Sequence, residues 1–160
     1  MPQPDPKSIL SIDVGRRRVG LAGCDPLGIT VSSLKALKRG RFTEDLETLK
    51  SLCTQRKVEG LVIGIPLDKE GRPTLQSIHC KRYGEKIALS LDLPLAWVNE
   101  HSSTWQAANQ HNLHGDRSGA LDSAVAALLL RQWLNEGPEL KPVHMAALPT
   151  SEINSDDGSL

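Results

Sequence analysis

The chain has 160 residues, 39% hydrophobic but only 3% aromatic, with 19 basic and 19 acidic side chains. That suffices for one ordinary domain with an aliphatic core, and is too short for two lobes closing over a nucleotide. Zero formal charge neither demands nor excludes a nucleic-acid partner, and no run approaches the ~18 apolar residues of a membrane span.

In chain order, residues 1–7 form a lead with three prolines and an aspartate among the first six, unlike a signal peptide. Residues 8–12 read as a strand, 19–23 as its hairpin partner, and 29–32 as the start of a third strand continuing towards Leu37. Thr43 suits the cap of a helix with Leu46, Leu49, Leu52 and Cys53 on one face. Residues 60–64, Gly-Leu-Val-Ile-Gly, read as a strand buried on both faces. A loop at 66–73 leads into a second helix over 74–89, with Leu75, Ile78 and Ile87 expected inward. Residues 93–98 make a fifth strand. Ser103, with Gln106 three residues on, suits a capping box, and Ser118 the cap of a last helix ending before Gly137.

Hairpin strands followed by alternating helices and strands point to an α/β sandwich around a mixed five-stranded sheet, its later strands parallel. Residues 8–137 form the domain. Residues 138–160 lack periodicity, hold one lysine against four acids, and read as a disordered tail. Cys24, Cys53 and Cys80 fit no zinc spacing and read as buried thiols in a reducing compartment, consistent with a soluble cytoplasmic protein.

Three acids fall where regular structure starts or stops. Asp13 ends the first strand, Glu100 follows the fifth, and Asp122 lies in the first turns of the last helix. Helical spacing places Asp122 on one stripe with Ala126, Leu129 and Trp133, facing the sheet. Each has an ordinary alternative: a turn cap for Asp13, a surface position for Glu100, a complement to the helix dipole for Asp122. Three converging carboxylates would repel unless cations neutralise them. Mg²⁺ or Mn²⁺ suits such oxygen donors, and two ions about 4 Å apart can promote phosphodiester cleavage.

Four blocks carry a family resemblance over about residues 9–137. They are Ile12-Asp-Val-Gly15 through Val19-Gly-Leu-Ala22, Val62-Ile-Gly64-Ile-Pro66-Leu67 with Gly71, Val98-Asn-Glu100-His-Ser-Ser-Thr104, and Leu121-Asp122 through Trp133-Leu134. The chain resembles the YqgF/RuvX family, the pre-16S rRNA nucleases also called Holliday-junction-resolvase-like proteins. The resemblance implies a ribonuclease-H-like fold with helices on both faces of the sheet. It implies that Asp13, Glu100 and Asp122 are catalytic, metal-binding acids, and that the reaction is metal-dependent hydrolysis of the pre-16S rRNA 5′ region. Asn99 and His101 stand where the family often has Asp and Arg, the segment from Glu100 to Asp122 is short, and lysines often found before the closing helix are missing.

Arg16, Arg17 and Arg18 are placed to clamp a phosphate backbone, or to form a solvated hairpin tip. Lys35, Lys38, Arg39 and Arg41 extend that track or serve solubility. Ser103 and Thr104 suit a phosphate at a helix N-terminus, or capping alone. His101 reads as solvent-facing or as an aid to proton transfer, and His111 and His114 share a helical face without a third ligand for zinc. Among Trp97, Trp105 and Trp133, only Trp105 is a candidate for base stacking, since Trp133 reads as core. The alternative functions are a resolvase of four-way DNA junctions, which would need a dimer, and a catalytically silent RNA-binding ribosome-assembly factor. A sugar-kinase or actin-like reading of Asp13-Val-Gly15 with Gly20 fails on chain length.

Overall fold

The computed structural model describes residues 7–100 and 119–149. Five strands form one sheet in the order β3-β2-β1-β4-β5: β1 (Ile9–Val14), β2 (Arg18–Cys24), β3 (Val31–Lys38), β4 (Gly60–Ile65) and β5 (Leu95–Asn99). β1 pairs antiparallel with β2 and β2 with β3, whereas β1, β4 and β5 run parallel. The helices are α1 (Phe42–Arg56), α2 (Leu75–Leu91) and α3 (Ala120–Glu136). Among the described residues, no helix is long and apolar enough to cross a membrane.

Strand alternation divides the core in two. Leu10, Ile12, Leu61, Ile63, Leu95 and Trp97 face α1 and α2, packing with Leu49, Cys80, Tyr83 and Ile87. Ile9, Val62, Ala96 and Val98 face α3, meeting Val125, Leu129, Leu130 and Trp133. Helices therefore cover both faces, as the resemblance implies. Apolar runs such as Leu61-Val-Ile63 occur because a strand covered on both sides has no polar face to alternate with.

Several local expectations are corrected. Asp13 does not end β1, because Val14 still pairs with Val19. Thr43 is not the cap of α1. That position is Arg41, without a side-chain cap, and buried Asp45 reaches back to accept from the Gly40 amide (3.0 Å). Thr74 caps α2 reciprocally with Ser77. Ile87 is buried, but Leu75 (89% exposed) and Ile78 (45%) face outward. The inward face is Cys80, Tyr83, Gly84, Ile87 and Ala88. Gly84 belongs there because a Cβ would stand 2.9 Å from both Ile63 and Trp97 side chains.

The stretch read as the start of a tail is ordered as far as residue 149. Leu95 and Lys141 exchange two backbone hydrogen bonds of 2.9 Å across the outer edge of β5. Leu140 packs against the α3-side core, and Val143, Ala146 and Leu148 against the other. Pairing through the backbone imposes no side-chain period, so this strap left no pattern in the sequence. Residues 150–160 lie outside the described residues, as do the expected caps Ser103 and Ser118.

Candidate active site

The site lies on the α3 face, at the ends of the parallel strands. Asp13 shares the β1 face of Ile9 and Ser11, which period-two alternation turns towards α3. On β5, Ala96 and Val98 face α3, and Glu100 follows in the same phase. Asp122 arrives from the first turn of α3. The strand order puts β1 beside β4 and β4 beside β5, so Asp13 and Glu100 approach from nearby strand ends.

Two glycines make this convergence sterically feasible. Asp13 pairs with Gly20 on β2, and on its other side lies one step beyond the Ile12–Ile63 pair, beside Gly64 of β4. A Cβ on Gly20 would stand 2.0 Å from the Asp122 carbonyl oxygen, so its absence admits the start of α3. A Cβ on Gly64 would stand 2.7 Å from Glu100 Oε2 and 2.5 Å from Leu129 Cδ1, so its absence admits the carboxylate. The β2–β3 register shifts at this level, between Val19 and Leu21. The Leu21 amide donates to Ser123 Oγ (3.3 Å), tying α3 to the sheet one residue after Asp122.

Burial raises Asp13 well above the usual carboxylate range. The Glu100 charge, a hydrogen bond with Glu100 and the Asp122 charge add to the rise. Burial also raises Glu100, opposed by its hydrogen bond with Asp13. Burial and the neighbouring carboxylates thus favour the protonated form of Asp13. Glu100 Oε2 is buried with no hydrogen-bond partner among the described residues. Asp122 Oδ2 lies 3.6 Å from Arg18 Nε.

The predicted acids are therefore arranged as a hydrogen-bonded pair with a third carboxylate beside an arginine. Among the described residues, no three His, Cys, Asp or Glu groups stand close enough to enclose a metal ion. The donor set nonetheless fits a hard divalent cation: three carboxylates, one with a buried oxygen lacking a partner.

The three arginines take different positions. Arg18 is drawn in beside Asp122. Arg17 is exposed, its carbonyl accepting from the Arg39 amide. Arg16 is exposed and lines a cavity of about 540 Å³ with Arg39, Gln76 and His79. No sequence signal joined the 38–41 loop to α2, because that contact depends on tertiary packing. His101, Ser103, Thr104, Trp105, His111 and His114 fall outside the described residues. Trp97 and Trp133 are both core, as are the three free cysteines. A larger groove of about 840 Å³ between β5, the end of α3 and the strap carries none of the three acids.

The sequence pattern of the family described as "RuvX: Holliday junction resolvase" matches residues 7–136. A Prochlorococcus marinus (strain MIT 9313) protein named "Putative pre-16S rRNA nuclease" is 66% identical, over 98% of this chain and 98% of its own length. One of the same name from Parasynechococcus marenigrum (strain WH8102) is 67% identical over 88% of this chain and 89% of its own. Among solved structures, T. thermophilus RuvC in complex with Holliday junction substrate shares the fold, with a TM-score of 0.50 and 12% identity, covering 85% of this chain and 99% of that one.

Proposed function

The chain belongs to the RuvX family and is a nuclease, and from that premise we propose that Asp13, Glu100 and Asp122 are its catalytic acids, acting on precursor 16S rRNA. The observation that carries this reading is the hydrogen-bonded Asp13–Glu100 pair beside Gly64, with Asp122 near enough for its charge to raise Asp13 further. A charge arrangement this costly is typical of a functional site.

The three carboxylates would hold Mg²⁺ or Mn²⁺, which supplies charge neutralisation at the phosphate and activation of water. Asp13 and Glu100 would bind it as carboxylates, so metal binding would compete with protonation of Asp13. Arg18 keeps Asp122 oriented before binding and remains near a phosphate afterwards. Arg16 and Arg17, at the adjoining turn, meet the backbone of the bound strand. RNA is preferred over junction DNA as substrate because relatives of 62–67% identity carry the precursor-rRNA name.

The deciding experiment is cleavage of a labelled precursor-rRNA leader and a four-way DNA junction with Mg²⁺, Mn²⁺ or chelator. Metal-dependent RNA cleavage is expected, lost in Asp13→Asn and Asp122→Asn. Undiminished cleavage by Asp13→Asn would overturn the site. Cleavage of the junction alone would overturn the substrate.

A further inference from the structure

Arg39 is held unlike the other arginines. Its Nη1 donates to the Gly15 carbonyl (2.9 Å) and lies 2.9 Å from His79 Nε2. Arginine can only donate, so that imidazole nitrogen accepts and carries no proton. The guanidinium carbon sits 4.3 Å from the Tyr83 ring centroid. The Tyr83 hydroxyl donates to buried Asp45 (3.0 Å), whose other oxygen takes the Gly40 amide beside Arg39. Every direct partner of Arg39 is neutral, and it joins no ion pair among the described residues.

A guanidinium fixed by neutral direct partners is a preorganised anion receptor, because its orientation is set before the ligand arrives. It opens on the cavity shared with Arg16, Gln76 and His79, with Leu75 exposed at the margin. The cavity adjoins the reaction centre. Gly15, which Arg39 holds, is two residues from Asp13, and Cys80, one residue from His79, donates to the Val14 carbonyl (3.4 Å).

We infer that Arg39, positioned by His79 and Tyr83, forms with Arg16 and Gln76 a subsite for a backbone phosphate of the bound strand, adjacent to the scissile one. The exposed Leu75 gives the neighbouring sugar or base an apolar surface. The subsite rests on the nuclease reading and adds to it a grip on the α2 side, across the β1–β2 turn from the acids.

The test separates the two. Binding of a labelled single-stranded oligoribonucleotide is measured in chelator over a salt series, so that no cleavage is involved. Arg39→Gln should weaken binding several-fold and reduce the salt slope by about 0.7, one phosphate on single-stranded RNA. Gln76→Glu, which puts a carboxylate into the cavity beside Arg39, should weaken it by repelling the phosphate and pairing with the guanidinium. Lys81→Gln, an exposed charge elsewhere on α2, should lose less than either. Scanning single methylphosphonates along the RNA should reveal one position that weakens the parent but leaves Arg39→Gln unchanged. Parent-like binding and slope in either cavity variant, or no RNA binding by the parent, overturns the subsite. A changed slope with no metal-dependent cleavage would retain the subsite and reject the catalytic assignment.

Discussion

Gly20 lies beneath Asp122: a Cβ on the glycine would meet the aspartate's carbonyl oxygen at 2.0 Å. The opposing atom is backbone in the first turn of α3, so it cannot rotate aside. Gly20→Ala should therefore lift the helix start, costing at least the ~1–3 kcal/mol typical of overpacking. Denaturant unfolding should show a lower midpoint, accompanied by loss of cleavage. A parent-like midpoint would mean that α3 does not pack this closely.

Gly64→Ala should behave differently. The atoms in its way are Glu100 Oε2 and Leu129 Cδ1, both ends of flexible side chains. Stability should fall modestly, while displacement of the carboxylate lowers cleavage by on the order of 100-fold, the scale of a 1 Å misplacement. The comparison to make is kcat against thermal midpoint for the two glycine variants.

Asp13→Asn should abolish cleavage yet stabilise the metal-free protein, because it removes a carboxyl whose raised folded-state pKa costs stability at neutral pH. A rise in Tm of a few degrees corresponds to ~1 kcal/mol in a domain of this size. The raised folded-state pKa also fixes a sign. As pH climbs from the ordinary carboxylate value through the raised one, the unfolded chain gives up its proton first and parent stability declines. Thermal scans from pH 4 to pH 8 in chelator should show that decline in the parent and its attenuation in Asp13→Asn.

The sheet and its parallel strands were legible because β4 and β5 are short apolar runs and the β1–β2 pair is a glycine-marked hairpin. The stripe from Asp122 through Trp133 was equally plain, since Ala126, Leu129 and Trp133 along it are all buried. On α2, counting only Leu and Ile finds Ile87 but wrongly turns Leu75 and Ile78 inward. The helix's other contact positions are Cys80, Tyr83 and Gly84, chosen for close approach and for a hydroxyl that reaches Asp45. The acids could be found by their places at element ends, but the space around them could not. Gly20 and Gly64 matter because of what lies opposite, and no local pattern encodes that. Arg39 and His79 are 40 residues apart and meet only through packing of α2 against the 38–41 loop.

The strap after Gly137 has a consequence for shortened forms of the chain. Through Lys141 it occupies the outer rim of β5 and lays apolar side chains over both faces of the sheet. A chain cut at Gly137 would bare that rim, and an open strand rim recruits another like itself. Such a fragment should elute as concentration-dependent oligomers where the longer chain does not. The twelve residues from 138 to 149 thus work as a selvedge, finishing a woven edge that would otherwise fray into its neighbours.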